Sequence, residues 1–450
     1  MQRIWKYLNC ILLPVSLLAQ SEDLSLSYTL HKLDNGLTII VHEDHTTPMA
    51  VVDIWYHVGS AYEKPGRTGF AHLFEHIMFE GSENVAEGEF DNLLEAAGGS
   101  NNGSTNTDRT NYFEIIPANA LDLALFLESD RMGYLLPGLT QEKLDGQREV
   151  VKNERRQRVD NQPYGLAWET LGHLLYPENH PYHWPVIGYM EDLEAATLAD
   201  VKDFFRLYYA PANAVLVIAG AVDTDYALQR ATYWFAEIPA NPQAVVRPVG
   251  FDFNLAEKKQ KVLEDKVQLP RLYLTWKTPG FFQPGDAELD VVANILGGGK
   301  TSRLYRKLVY EMQIAQDVSV FQSSARLNSE FIIIATAKPG HTLAELQAVI
   351  DTEIARLQNE APDVRDLERV LNQLEVAFYS GLQSLLNKAE ALNRYYYFTG
   401  NPDYANEDMM RYRALSPMDI RNAARRWLQP ESRVEVHVGP EKISQAGGEK

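Results

Sequence analysis

Hydrophobic positions along this chain follow two different periods, and the switches between them mark its elements. Residues 37–42 (LTIIVH) and 49–57 (MAVVDIWYH) gather β-branched and aromatic side chains between turn residues such as Asp34, Asn35 and Gly36, which predicts two neighbouring strands of one sheet. The period then lengthens. Over 69–79, 87–97, 118–134, 141–158 and 198–208, apolar residues recur three and four apart, the spacing of an amphipathic helix, while 111–116 and 214–221 predict further strands.

Pro239, Pro242 and Pro248 punctuate an aperiodic stretch near the middle of the chain, which predicts a linker over 241–253. Beyond it the order of elements recurs. Strands are expected at 261–267 and 271–276, a helix at 286–296, strands at 315–323 and 330–336, and long helices at 343–358 and 363–382. A helix at 417–427 before a strand at 433–438 echoes 198–208 before 214–221. The expected architecture is α+β: two related domains, 24–240 and 254–440, each a mostly antiparallel sheet packed with helices, and an aperiodic tail at 441–450.

Composition narrows the partners. The 450 residues are 45% apolar and 23% charged, an ordinary globular balance. A net charge of −19 repels phosphate backbones, so nucleic acid is excluded as a partner, and it points toward basic peptides. Cys10 is the single cysteine, which excludes an internal disulfide and a thiol zinc site alike. At the N-terminus, Arg3 and Lys6 precede an apolar run from Ile11 to Leu18, then Ala19 and polar Gln20, Ser21 and Glu22. This is signal-peptide anatomy over 1–19, with cleavage expected after Ala19. The run is too short to span a bilayer and contains Pro14, so the expected product is exported, periplasmic or secreted, with no stable membrane anchor.

The chemistry concentrates in the helix over 69–79. His72, Glu75 and His76 form H-x-x-E-H, and at 3.6 residues per turn they share an arc of roughly 100° on one face. Two imidazoles one turn apart can hold a metal ion, with the carboxylate between them reaching water at the metal. Two core histidines and a solvated glutamate would give the same letters. A third ligand is needed for tetrahedral zinc, and the helix over 141–158 offers Glu142, Glu149 and Glu154. Glu149 and Glu154 stand roughly 140° apart around that helix, so both cannot face one ion, but spacing does not choose between them.

Other motifs carry less. Residues 297–302 (GGGKTS) look like part of a phosphate loop, but Asn294 stands where the full pattern needs glycine and a helix precedes them, so no nucleotide is expected. The aromatics Tyr395, Tyr396, Tyr397 and Phe398 fit core packing at helical spacing. His173, His180 and His183 lie in and before a proline-rich HPYHWP stretch that reads as a structured loop.

Taken together, 69–81, Gly98 to Asn102 leading to 110–114, 150–156 (VVKNERR), His180-Pro181-Tyr182 with Ile187-Gly188, and 209–214 (YAPANA) resemble the insulinase-like, or pitrilysin, zinc peptidases. H-x-x-E-H in this order marks the inverzincins. The chain is most similar to the short-chain branch that includes the mitochondrial processing peptidase β subunit, and the resemblance covers nearly the whole mature chain. It implies a zinc-dependent endopeptidase acting on peptides or unfolded polypeptides, built as half of a clamshell chamber. It implies one Zn2+ per chain held by His72, His76 and Glu154, with Glu75 as general base. It also implies that an extended peptide adds to a strand edge at Asn102 and Gly103. Where the family often has a second glutamate, seven positions before Glu154, this chain has Gln147, leaving open whether Glu149 supports the site.

One departure bears on assembly. Active members use an Arg and a Tyr seven positions apart in a C-terminal domain, and Val309 and Gln316 occupy the corresponding places here. The resemblance therefore implies a heterodimer whose other subunit supplies the Arg/Tyr pair, with a homodimer also open. The alternative is a non-catalytic assembly subunit that retains the peptidase fold.

Overall fold

The computed structural model describes residues 25–240, 243–251, 255 and 257–441, so the expected signal peptide and nearly all of the tail lie outside the described residues. The first half supplies β1 (Thr29–Lys32), β2 (Thr38–Glu43), β3 (Met49–Tyr56), β4 (Ser100–Thr105), β5 (Thr110–Pro117) and β6 (Ala214–Gly220). They form one sheet in the order β1-β2-β6-β3-β5-β4. Its helices are α1 (Phe70–Ile77), α2 (Glu89–Ala96), α3 (Leu121–Gly138), α4 (Gln141–Arg155), α5 (Leu166–Leu175), α6 (Met190–Ala195), α7 (Leu198–Tyr208) and α8 (Thr224–Phe235).

The second half forms a sheet from β7 (Lys259–Asp265), β8 (Arg271–Thr278), β9 (Ala315–Ser323), β10 (Ser329–Ala337) and β11 (Arg433–Pro440), in the order β7-β11-β8-β10-β9. Its helices are α9 (Asp286–Gly297), α10 (Leu343–Asn359), α11 (Val364–Gly381), α12 (Leu385–Thr399), α13 (Ala405–Arg413) and α14 (Pro417–Trp427). Each sheet is antiparallel except for one parallel pair, β2 with β6 and β7 with β11. The β2-β6-β3-β5-β4 run thus repeats as β7-β11-β8-β10-β9, the same connectivity twice.

The central strands of the first sheet are apolar at successive positions because both faces are covered. In β6, Leu216 and Ile218 join the core under α1, α3 and α8, whereas Val215, Val217 and Ala219 face the other way. That second face is closed by α12, whose Ala389, Leu392 and Tyr395 pack on Ile40, Val51 and Val217. The exchange is mutual. From the first half, α5 crosses onto β8 and β11 of the second sheet, where Leu171 and Leu175 share a core with Tyr273, Val434 and Val436. The opposite face of that sheet is covered by α9, α10, α11 and α14.

Several elements depart from the periodicity. The helix expected over 118–134 begins with a short 3-10 turn, Ala118–Ala120, and bends at Tyr134, three residues before Pro137. The helix expected over 141–158 changes at its end into a π-helical turn, Arg156–Asp160. Residues 297–302 form a turn between α9 and a π-helical segment at Tyr305–Glu311. Tyr395 and Tyr397 are buried in α12, as their spacing predicts. Among the described residues, no helix is long and apolar enough to cross a membrane.

Candidate metal centre

Helix α1 is fixed at its start by glycine and a buried carboxylate. Gly69, with φ 84°, precedes the helix, and its N–H donates to Glu63 Oε2 at 2.9 Å while Ala71 N–H donates to Glu63 Oε1 at 2.8 Å. The first N–H groups of a helix lack intrahelical partners, and the Glu63 oxygens supply acceptors for two of them. Burial pushes the Glu63 carboxyl up, and these two N–H groups oppose the shift. Gly188 packs backbone to backbone against Gly69: a Cβ at 188 would stand 2.4 Å from Gly69 Cα. Phe70, Leu73, Phe74 and Ile77 then bury one face of α1, and Tyr112 Oη of β5 donates to Phe74 O at 3.2 Å. The remaining face carries His72, Glu75 and His76.

Opposite that face lies the last turn of α4, which presents Glu154. Its Oε2 is 3.2 Å from His76 Nε2 and 3.6 Å from His72 Nε2, and one donor atom from each of the three residues lies within 4.8 Å of the others. Two ligand atoms about 2.0–2.1 Å from a tetrahedral zinc ion are about 3.3–3.4 Å apart, so the carboxylate-to-imidazole separations fit such an ion. The rings of His72 and His76 are 5.0 Å apart and steeply inclined. Burial pushes the His72 imidazole down, with Glu154 acting in the other direction. Neutral imidazole is the form that ligates a metal. The other Glu154 oxygen accepts from Arg158 Nη1 at 2.5 Å, across the junction of α4 with its π-helical turn. Among the described residues, no other cluster of His, Cys, Asp and Glu converges in this way.

The alternatives on α4 point elsewhere. Glu149 is exposed and accepts from Lys152 Nζ at 2.8 Å, and Lys152 also pairs with Glu194 at 2.9 Å, so Glu149 does not support the cluster. Glu142 is exposed in the first turn. Gln147 Nε2 donates to Glu80 Oε1 at 2.7 Å, just past the end of α1. Of the other histidines, His173 and His183 stack on each other at 4.8 Å, and His180 stacks on Tyr176 at 4.6 Å.

Asn102 and Gly103 lie inside β4, the edge strand of the first sheet. The Gly103 N–H donates to the side chain of its own neighbour, Asn102 Oδ1, at 2.8 Å. A Cβ at 103 would meet Tyr112 Cδ1 at 3.1 Å and Glu75 Cγ at 3.3 Å. The edge strand therefore passes directly over the Glu75 side chain, a proximity that the sequence does not reveal. Val309 is half-buried against the second core, and Gln316 is exposed at the start of β9.

Two histidines of one helix and a glutamate of another converge beside a sheet edge in an α+β fold of repeated connectivity, the arrangement of a candidate metal-binding scaffold, and comparison with known proteins narrows the class. Residues 38–176 match the model described as insulinase (peptidase family M16), and 195–374 match the one described as peptidase M16 inactive domain. The zinc protease PqqE of Helicobacter pylori is 32% identical over 360 residues, spanning 78% of this chain and 79% of that one. A probable mitochondrial-processing peptidase subunit beta of Arabidopsis thaliana is 22% identical over 91% of this chain and 77% of its own. A crystal structure of a protease from Helicobacter pylori superposes with a TM-score of 0.88 at 28% identity, covering 93% of this chain and all of that one. The periplasmic protease PqqL of Escherichia coli shares the fold, with a TM-score of 0.76 at 16% identity, over 92% of this chain and 47% of its own. The chain belongs to the insulinase-like M16 peptidase family.

Proposed function

We propose that the chain is a zinc-dependent endopeptidase of peptides or unfolded polypeptides, with His72, His76 and Glu154 as zinc ligands and Glu75 as general base. The observation that carries this reading is the convergence of the three donors, with Glu154 at tetrahedral separations from both imidazoles, beside Glu75 and an open strand edge. A bound zinc ion supplies Lewis-acid activation of water and of the scissile carbonyl. Glu75 takes the proton of the attacking water and returns it to the leaving amine. The peptide adds to β4, where an incoming backbone carbonyl replaces Asn102 Oδ1 at the Gly103 N–H.

The chain acts as the zinc-bearing member of a dimer whose partner supplies the missing Arg/Tyr pair, because neither Val309 nor Gln316 can donate a charged or phenolic group to a substrate. Its similarity to one half of PqqL supports a two-half assembly. The leader over 1–19 supports export to the periplasm or beyond. The departures at Val309 and Gln316 also favour a second reading, a fold-retaining subunit without catalysis. Metal content and turnover separate the two. About one zinc per chain, lost in His76→Ala, with hydrolysis of an unfolded peptide by the chain and its partner, supports the peptidase; a metal-free wild-type chain refutes it. Full turnover by the isolated monomer refutes the divided site.

A further inference from the structure

Beyond Gly103 the edge strand leads to a cavity that the zinc site does not use. Side chains of a strand alternate between faces. Gly103 faces Glu75 and α1, so Ser104 faces the opposite side of the sheet, where its Oγ donates to Asn111 Oδ1 at 2.7 Å. A cavity of about 520 Å3 opens on that side, where the β4–β5 hairpin meets the β9–β10 hairpin and α12. Arg109, Glu390, Arg394, Phe281 and Phe398 are among its walls. It is formed by both halves of the chain, its wall begins at Asn106, three residues beyond Gly103, and Arg109 ties that wall to Ser104 of β4.

Its wall carries two arginines and two acids, Asp108 and Glu390, none of which pairs with another. Arg109 places Nη1 on Ser104 O at 2.8 Å and Ser104 Oγ at 2.6 Å, and its guanidinium lies 4.9 Å from the Trp55 ring centre. Neither Arg109 nor Arg394 has an ion-pair partner among the described residues, and the Nε of each is buried without a hydrogen bond. The carboxylates around them are engaged elsewhere or lie behind the wall. Asp108 accepts from Tyr182 Oη at 2.6 Å and from Arg326 N–H at 2.8 Å. Asp408 accepts from Tyr395 Oη at 3.0 Å and from Arg411 at 2.9 Å. Asp53, behind the wall, is fully buried, and burial followed by the charge of Glu390 pushes its carboxyl well up. Glu390 alone remains, with Oε1 accepting from Asn111 at 2.8 Å. Two guanidinium groups without a close ion-pair partner therefore stand in a partly desolvated wall, an arrangement that an incoming anion relieves.

We propose that this cavity is a specificity pocket for a carboxylate side chain, Asp or Glu, carried by a substrate residue that points away from the zinc face while the peptide is paired on β4. The proposal rests on the peptidase reading, and it runs against the acidic balance of the whole chain, which favours basic peptides. Arg109 and Arg394 attract the carboxylate, and Glu390 limits the affinity and keeps release fast.

The test uses the full-length Glu75→Gln protein, zinc-loaded and with its partner where one is required, titrated by fluorescence anisotropy. Labelled unstructured peptides carry Glu, Gln or Lys at one position, moved stepwise along the peptide. The Glu peptide is expected to bind about ten-fold tighter than its Gln isostere at a position of one parity. Arg394→Gln should reduce that ratio toward one, and Glu390→Gln, which keeps the side-chain volume, should raise it; neither residue touches the zinc cluster. A Glu-to-Gln ratio near one at every position, or one that both variants leave unchanged, overturns the pocket. Turnover of the neutral peptide by the wild-type protein alongside a flat profile leaves the peptidase reading intact, whereas binding of no peptide overturns both.

Discussion

Glu154 offers the sharpest test of the site, because one side chain from a different helix completes it. Zinc sites with four protein ligands contribute about 10–16 kcal/mol at pH 7, or about 2.5–4 kcal/mol per ligand. The three donors here already stand at 3.2 and 3.6 Å from Glu154 Oε2 to the two imidazoles, so little rearrangement offsets the loss of that oxygen. Glu154→Ala should therefore weaken zinc binding by about 10²–10³-fold. Glu154→Gln, which keeps a carbonyl oxygen but loses the charge, should fall near the lower end of that range. Glu149→Gln is the control, since its carboxylate pairs with Lys152 outside the cluster, and it should leave the affinity within about two-fold. The assay is competition against a chromophoric chelator, with circular dichroism to verify that each variant is folded. A folded Glu154→Ala protein whose zinc Kd stays within about three-fold of wild type would refute the assignment.

Three further outcomes follow from the same geometry. Glu75→Gln should retain about one zinc per chain by mass spectrometry while turnover falls by about 10²–10⁴-fold; near-normal turnover would contradict the general-base role. Gly188→Ala places a side chain at φ 77° and a Cβ 2.4 Å from Gly69 Cα, and should cost about 2–5 kcal/mol in urea unfolding; a change below about 0.5 kcal/mol would show that this backbone contact is dispensable. Burial, with Arg247 and Arg326 nearby, pushes the His57 imidazole down to about 3. The unfolded chain binds that proton below about pH 6.5 and the folded chain does not, so stability from this site falls as pH drops through that window, by about 1.4 kcal/mol per unit. The urea midpoint of His57→Gln should therefore change less between pH 6 and 5 than that of wild type; parallel shifts would count against the neutral buried imidazole.

Helix α1 was legible because its apolar stripe and its H-x-x-E-H face follow one period, and α4 was legible for the same reason. The choice of Glu154 over Glu149 was not legible from spacing, since it depends on which side of α4 meets α1. Strand β4 was hidden from periodicity for a different cause, and only the family resemblance placed a strand edge at Asn102 and Gly103. Its sequence, Ser-Asn-Asn-Gly-Ser-Thr, has no apolar alternation, because an edge strand held by one neighbour need not bury a face. Helix α5 was not among the expected helices and α12 showed only in the spacing of its aromatics, and no local signal says that each covers the other half's sheet. The two arginines of the junction cavity are likewise 285 positions apart in the chain and meet only through the packing of α12.

That exchange of α5 and α12 has a practical consequence. A chain severed within 243–251 would not release two free domains, because each fragment still lends a helix that closes the other's sheet. The nicked protein should migrate as one particle under native conditions and part only when both sheets unfold. The two halves are thus clasped rather than merely tethered.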